Sequence, residues 1–171
     1  MALSLESPNL VRQKVYAALG GQGGPAGVAS STELSTSKQR LWWATAREFF
    51  DQWVAQGNAN LQFLPYDEAQ ADDADGTDLA DSACKVYMFY VKKLNAATAN
   101  TVKLYDNVTG DSITTEQTLS IPLDAANQEA MIIYPTGFSH ATGVAVTQHT
   151  TIEGSSDGSD GGNGFVVIGA A

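Results

Sequence analysis

Lys85-Val86-Tyr87-Met88-Phe89-Tyr90-Val91-Lys92, followed after a short gap by Thr101-Val102-Lys103-Leu104-Tyr105, decides the fold. β-Branched and aromatic residues suit a pleated, half-buried surface, and eight of these thirteen are of that kind: Val86, Tyr87, Phe89, Tyr90, Val91, Thr101, Val102 and Tyr105. Side chains alternate along a strand, which sends Val86, Met88 and Tyr90 to one face and Tyr87, Phe89 and Val91 to the other. A strand apolar on both faces is central and covered on both sides. The connection Asn95-Ala-Ala-Thr-Ala-Asn100 is small and polar, so the two runs are expected to form an antiparallel hairpin.

Downstream, the chain reads as further strands separated by turn signals. Asp106 to Asp111 is a turn, and Ile113 to Ile121 alternates partly and ends at Pro122 as an outer strand. After a polar loop from Asp124 to Ala130, Met131 to Tyr134 is a short strand and Pro135-Thr-Gly137 turns the chain. Gly143 to Ile152 alternates, with Val144, Val146 and Gln148 on one face and Ala145, Thr147 and His149 on the other. A Gly/Ser/Asp-rich loop from Gly154 to Gly164 leads to a last apolar strand, Phe165 to Gly169. Six strands with no helix between them exclude a parallel sheet. The expectation is a mainly β chain, with an antiparallel β-sandwich or jelly-roll-like domain over residues 84–171.

Upstream, the pattern changes to helix. Ser7-Pro8 places a capping hydroxyl before a proline at the first helical position, and Gly20-Gly21 stops the helix. Val11, Val15, Ala18 and Leu19 form its apolar stripe. Gly20 to Gly27 is a flexible linker by composition; it follows a helix rather than a strand, so it is not a dinucleotide-binding glycine loop. A second helix runs from about Lys38 to Gln56, ended by Gly57-Asn58. Its face carries Trp42, Trp43, Phe49, Phe50 and Trp53, far more aromatic surface than solvent exposure tolerates. Two compatible readings follow: the face packs on the sheet, or part of it docks another chain, because Trp and Phe anchor interfaces. The candidate interface residues are therefore Val11, Val15, Leu19, Trp42, Trp43, Phe49, Phe50 and Trp53. Residues 1–60 are expected to be an N-terminal helical arm carrying attachment, and 61–83 an acidic connecting loop in which Leu61 to Tyr66 is extended.

Composition bounds the chemistry. The net charge of −10 is uneven: +1 over residues 1–60 and −11 over 61–171. An acidic body argues against nucleic acid, whose phosphates are held by Lys and Arg. No apolar run approaches the ~20 residues of a membrane span, and Met1 to Glu6 has no signal-peptide pattern, so a cytoplasmic origin is expected. Cys84 has no partner for a disulfide and sits between residues that suit a small buried thiol. Asp73-x-Asp75-Gly76 lacks the spacing of a calcium loop, and His140, expected in a surface turn, and His149, expected on a strand face, lie in no metal-ligand spacing. Asn107-Val-Thr109 matches a glycosylation acceptor by chance. No catalytic residue, cofactor or metal is expected.

Ile121-Pro-Leu, Ile132-Ile-Tyr-Pro-Thr-Gly-Phe138 and Ala141-Thr-Gly-Val-Ala-Val-Thr147 together resemble a pattern in small β-sandwich proteins of tailed-bacteriophage particles. In that pattern a proline, a glycine and an aromatic precede a glycine that opens an alternating strand, and a polar loop leads to the last one. The resemblance covers residues 84–170 and leaves 1–82 unmatched. It implies a non-enzymatic virion component made in the host cytoplasm: a capsid decoration protein, or a head-to-tail, tail or fibre-attachment protein. Its implied partners are other virion proteins and copies of itself, with no nucleic acid and no membrane. A carbohydrate- or ligand-binding sandwich module is the alternative, and requires exposed aromatics near the strand-connecting loops.

Overall fold

The structure, a computed structural model, describes residues 3–20, 37–67, 77–93, 100–107, 117–123, 129–149 and 162–171. Among the described residues two helices, α1 (Pro8–Ala18) and α2 (Ser37–Ala55), precede eight strands. These are β1 (Leu61–Tyr66), β2 (Thr77–Ala80), β3 (Cys84–Lys93), β4 (Asn100–Tyr105), β5 (Gln117–Leu123), β6 (Glu129–His140), β7 (Val144–His149) and β8 (Gly162–Ala170). Sheet A has the order β1-β8-β3-β6 and sheet B the order β2-β7-β4-β5, with every pairing antiparallel. The pairs β4·β5, β3·β6, β2·β7 and β1·β8 nest outward from one hairpin, which is the jelly-roll arrangement.

The expected β3–β4 hairpin does not form. β3 pairs with β6 and β8 in sheet A, while β4 pairs with β5 and β7 in sheet B. A six-residue connection spans the ~10 Å between packed sheets as readily as it closes a hairpin, and both strands are apolar enough for either. The connecting-loop reading of 61–83 is also corrected, since β1 pairs with β8 and β2 with β7. Residues 68–76 with Asp72, Asp73 and Asp75, most of the Gly20–Gly27 linker, the segment 94–99, and 150–161 lie outside the described residues.

β3 is central and covered on both faces, as its sequence predicts, but its strict alternation fails at one point. The register against β8 steps from Val86–Ile168 to Met88–Val167, so Tyr87 is one extra residue. This bulge turns both Tyr87 and Met88 toward the helices, and returns Phe89 and Val91 to the side of Val86. Opposite Tyr87, β6 inserts four residues, Tyr134 to Gly137. The expected turn at Pro135-Thr-Gly137 is thus an arch within one long edge strand. Gly137 has φ +75°, and a Cβ there would lie 2.8 Å from the Tyr87 ring. Pro65, Pro122 and Pro135 all sit in edge strands, where a missing N–H breaks no ladder.

The helices form a third layer on the outer face of sheet A rather than a separable arm. Ser7 caps α1, accepting from Leu10 N, and Gly57 (φ +65°) closes α2, as the sequence indicates. Phe50 and Ala46 are fully buried and Trp53 and Phe49 nearly so, seated on Tyr87, Met88, Tyr90 and Phe165. Trp53 meets Tyr87 edge-to-face at 4.6 Å between ring centroids, and Trp42 meets Tyr90 likewise at 5.8 Å. A second core between the sheets holds Val86, Phe89, Val91, Val102, Leu104, Val144, Val146, Val166 and Ile168. Sheet A is therefore sandwiched twice, which explains why β3 and β8 are apolar on both faces.

Candidate functional site

All eight residues marked as interface candidates are internal. Val11, Val15, Leu19 and Phe50 are at most 1% exposed, and Trp42, Trp43, Phe49 and Trp53 at most 9%. The packing reading of the aromatic face describes what the fold does with it, and none of the eight offers a free surface. The outward sides of the helices keep Leu10, Leu41 and Val54 exposed. Around them Arg12 and Arg47 both reach Asp51, at 3.3 and 3.5 Å. The Arg47 guanidinium also lies 5.4 Å from the Trp43 ring centroid. Exposed pairs of this kind contribute a few tenths of a kcal/mol each. Beneath them Tyr16 Oη, Arg12 Nε and Trp43 Nε1 are buried with no hydrogen-bond partner among the described residues.

Three polar groupings could carry chemistry, and each ties strands together. The first is at the start of β7. The Asp106 carboxylate accepts from the amides of Ala141 (2.7 Å), Thr142 (2.8 Å) and Gly143 (3.3 Å) and from the Thr142 hydroxyl (2.6 Å). Desolvation pushes its pKa up, but the Thr142 hydroxyl and the three amides outweigh it and hold the carboxyl at about 2. Next to this clip His140 is 1% exposed, not on a surface turn as the sequence suggests. Thr118 Oγ1 donates to the Leu104 carbonyl (2.9 Å) and lies 3.1 Å from His140 Nε2. Cys84 lies directly across the ladder from His140. Burial, then the nearby Asp106 charge, raise its thiol to about 11, so this Cys–His–Asp neighbourhood holds a thiol and not a thiolate nucleophile.

The second grouping lines the face of sheet B turned away from sheet A. Thr101, Lys103, Thr147 and His149 are each at most 3% exposed, and Tyr105 joins them. Thr147 Oγ1 and His149 Nε2 are 2.8 Å apart. The alternation in β7 is as the sequence predicts, with Val144 and Val146 in the inter-sheet core and Thr147 and His149 opposite. The burial of the polar side has no signal in the sequence. Burial lowers the Lys103 pKa and raises that of Tyr105.

The third grouping is at the end of sheet A beside the start of α2. Tyr90 Oη donates to Glu129 Oε2 (3.2 Å), Lys92 Nζ lies 3.5 Å from Glu129 Oε1, and Lys38 Nζ donates to the Glu129 carbonyl. Burial, then the Glu129 charge and hydrogen bond, push the Tyr90 hydroxyl well above its ordinary range. A cleft of about 470 Å³ opens alongside, lined by Tyr66, Asp67, Tyr90, Lys92, Asn163 and Phe165 among others. Its aromatic rings are buried members of the core, with Phe165 stacked on Tyr90 at 5.1 Å. Among the described residues no three His, Cys, Asp or Glu side chains are grouped to hold a metal ion, and no helix is long and apolar enough to cross a membrane.

No protein-family model and no curated protein matches this chain.

Proposed function

We propose that this chain is a non-enzymatic structural component of a bacteriophage particle, a capsid decoration protein in the first instance. The observation that carries the reading is the jelly-roll order of the two sheets, an architecture used by viral capsid proteins, and by lectins and cupins as well. That argument is an analogy of fold. The stretch resembling phage sandwich proteins forms β6, the opening of β7 and the end of β5 in this roll. The polar groupings support it, since the thiol and the tyrosines with shifted pKa values are moved away from the reactive form. The partners are capsid or tail subunits, and the particle-facing side is the outward surface of the helical layer, which belongs to the segment 1–60 whose net charge is +1 against −11 for residues 61–171. Particles purified from producing cells should contain the chain, and cryo-electron microscopy should show its three-layer density on the shell with the helices inward. Its absence from particles that are otherwise complete refutes the proposal.

A second reading, a glycan-binding module, has one observation in its favour. Tyr134 and Phe138 stack at 5.6 Å on the arch of β6, and Phe138 is 36% exposed. Exposed rings of this kind pack against sugar faces. A glycan array that lights up with the native chain, and goes dark with Phe138→Ala, would favour the module.

A further inference from the structure

We infer that the free edge of β6 is a self-association site, on which a second copy of this chain adds its own β6 in antiparallel register to join two sheets A into one. The inference stands on the geometry of β6 and does not rest on the virion reading.

An exposed sheet edge is a row of unpaired donors and acceptors, and natural sheets blunt such rows with short strands, prolines, charges or covers. Three of the four edges here are blunted. β1 carries Pro65 and is bridged at Leu61 by Glu6, whose amide and carbonyl both pair with it. β2 has four residues, one of them Asp78, and β5 carries Pro122. β6 is the longest strand, with twelve residues, and from Glu129 to Ser139 every residue keeps part of its surface in solvent. In β3 beside it, Val86 to Val91 are all buried. Pro135 and the arch break β6 only after Tyr134; Lys38 takes the Glu129 carbonyl, and from Ala130 to Tyr134 the outer ladder has no strand beside it among the described residues.

The side chains on that ladder say what it fits. Met131 and Ile133 pack partly against the helical layer, and Ala130 and Ile132 partly against the inter-sheet core. The edge is thus apolar on both faces, so its partner must be a strand apolar on both faces. β6 itself meets that condition. Antiparallel pairing about Ile132 places Met131 opposite Ile133 of the second copy and Ala130 opposite Tyr134, small against large. A two-fold contact of this type is self-complementary. Charge points the same way. Two chains of net −10 repel, and the contact open to them is an uncharged one. Residues 130–139 carry no charge, and Glu129 at the rim is compensated within its own copy by Lys92. In the proposed register each Glu129 faces Pro135, not its twin.

Sedimentation of the full chain over a range of concentrations should show a reversible dimer. Ile132→Lys, which sets two ammonium groups face to face on the two-fold axis, should weaken association at least about tenfold while leaving the far-ultraviolet circular dichroism unchanged. Ile132 is partly a core residue, so amide hydrogen exchange on the unsubstituted chain gives a readout free of that complication. Protection at residues 129–134 should rise with protein concentration, while that of β4 stays constant. A chain that sediments as a monomer, a dimer unaffected by a folded Ile132→Lys variant, or concentration-independent exchange along β6 would each overturn the inference.

Discussion

Replacing Asp106 by Asn tests whether one carboxylate holds the β6–β7 corner. The side chain keeps its shape and loses its charge. One oxygen takes the Thr142 amide, the Thr142 hydroxyl and the Gly143 amide, and the other takes the Ala141 amide. In Asp106→Asn the new NH₂ group occupies one of these positions and meets a donor. The magnitude follows from the carboxyl's depression from 3.8 to about 2. Fully buried, such a shift corresponds to about 2.5 kcal/mol. Asp106 is partly exposed, and screening reduces this to about 1–2 kcal/mol. For a chain of this length that is a loss of roughly 2–8 °C in Tm at pH 7. The sign is set by a folded pKa below the unfolded one: the carboxylate's contribution is complete above about pH 4 and disappears as pH falls through about 2. Thermal melts of both proteins at pH 7, 5, 4 and 3 are the assay. The gap should be constant down to pH 5 and narrow at pH 3. Equal Tm values at pH 7, or a gap that does not change with pH, would refute the argument.

Gly137→Ala should lose about 2–4 kcal/mol in a urea titration, because φ +75° strains any Cβ and that Cβ would press on the Tyr87 ring; unchanged midpoints would show that the arch is mobile enough to absorb it. Phe50→Ala should lose about 3–5 kcal/mol, as for any large aromatic emptied from a core. Residues 61–171 alone should fail to give a cooperative melt, whereas an independently folding sandwich under a detachable arm would melt sharply. Cys84, with its thiol raised to about 11, should resist iodoacetamide at pH 8 until denaturant is added, as read by mass spectrometry; rapid labelling of the folded chain would contradict its burial.

The helices and the class of fold were legible in the sequence because their signals are local. Ser7-Pro8, Gly20 and Gly57 mark helix ends by backbone chemistry that acts within one turn. The two-faced apolarity of β3 likewise revealed a covered strand, since burial on each face is read residue by residue. Partner choice was not legible. β3 and β4 are neighbours in sequence and belong to different sheets, and nothing in their composition distinguishes a hairpin from a crossing. The bulge at Tyr87 is set by the Trp53 and Phe49 rings that receive it and by Gly137 and Gly169 beside it, which are 34 or more positions away in the chain. His140 looked like a turn residue because Pro135-Thr-Gly137 precedes it, and only the pairing with Cys84 shows the strand continuing through the arch. The interface residues were assigned from aromatic content, which marks an internal layer and a docking face equally well.

The position of β8 dictates an order of events in time. It lies between β1 and β3, and is β1's only strand partner among the described elements. A nascent chain can close β4·β5 and then β3·β6 and β2·β7, each loop longer than the last, but sheet A has a gap until residues 162–170 are made. The helices, synthesised first, have no finished surface to land on until then. Their tryptophan stripe waits in solvent through most of synthesis, and the slow, long-range closure that ends the wait makes this a late-committing folder. A stop codon before residue 162 would leave that stripe uncovered, and such fragments should partition to chaperones or inclusion bodies rather than accumulate as soluble pieces.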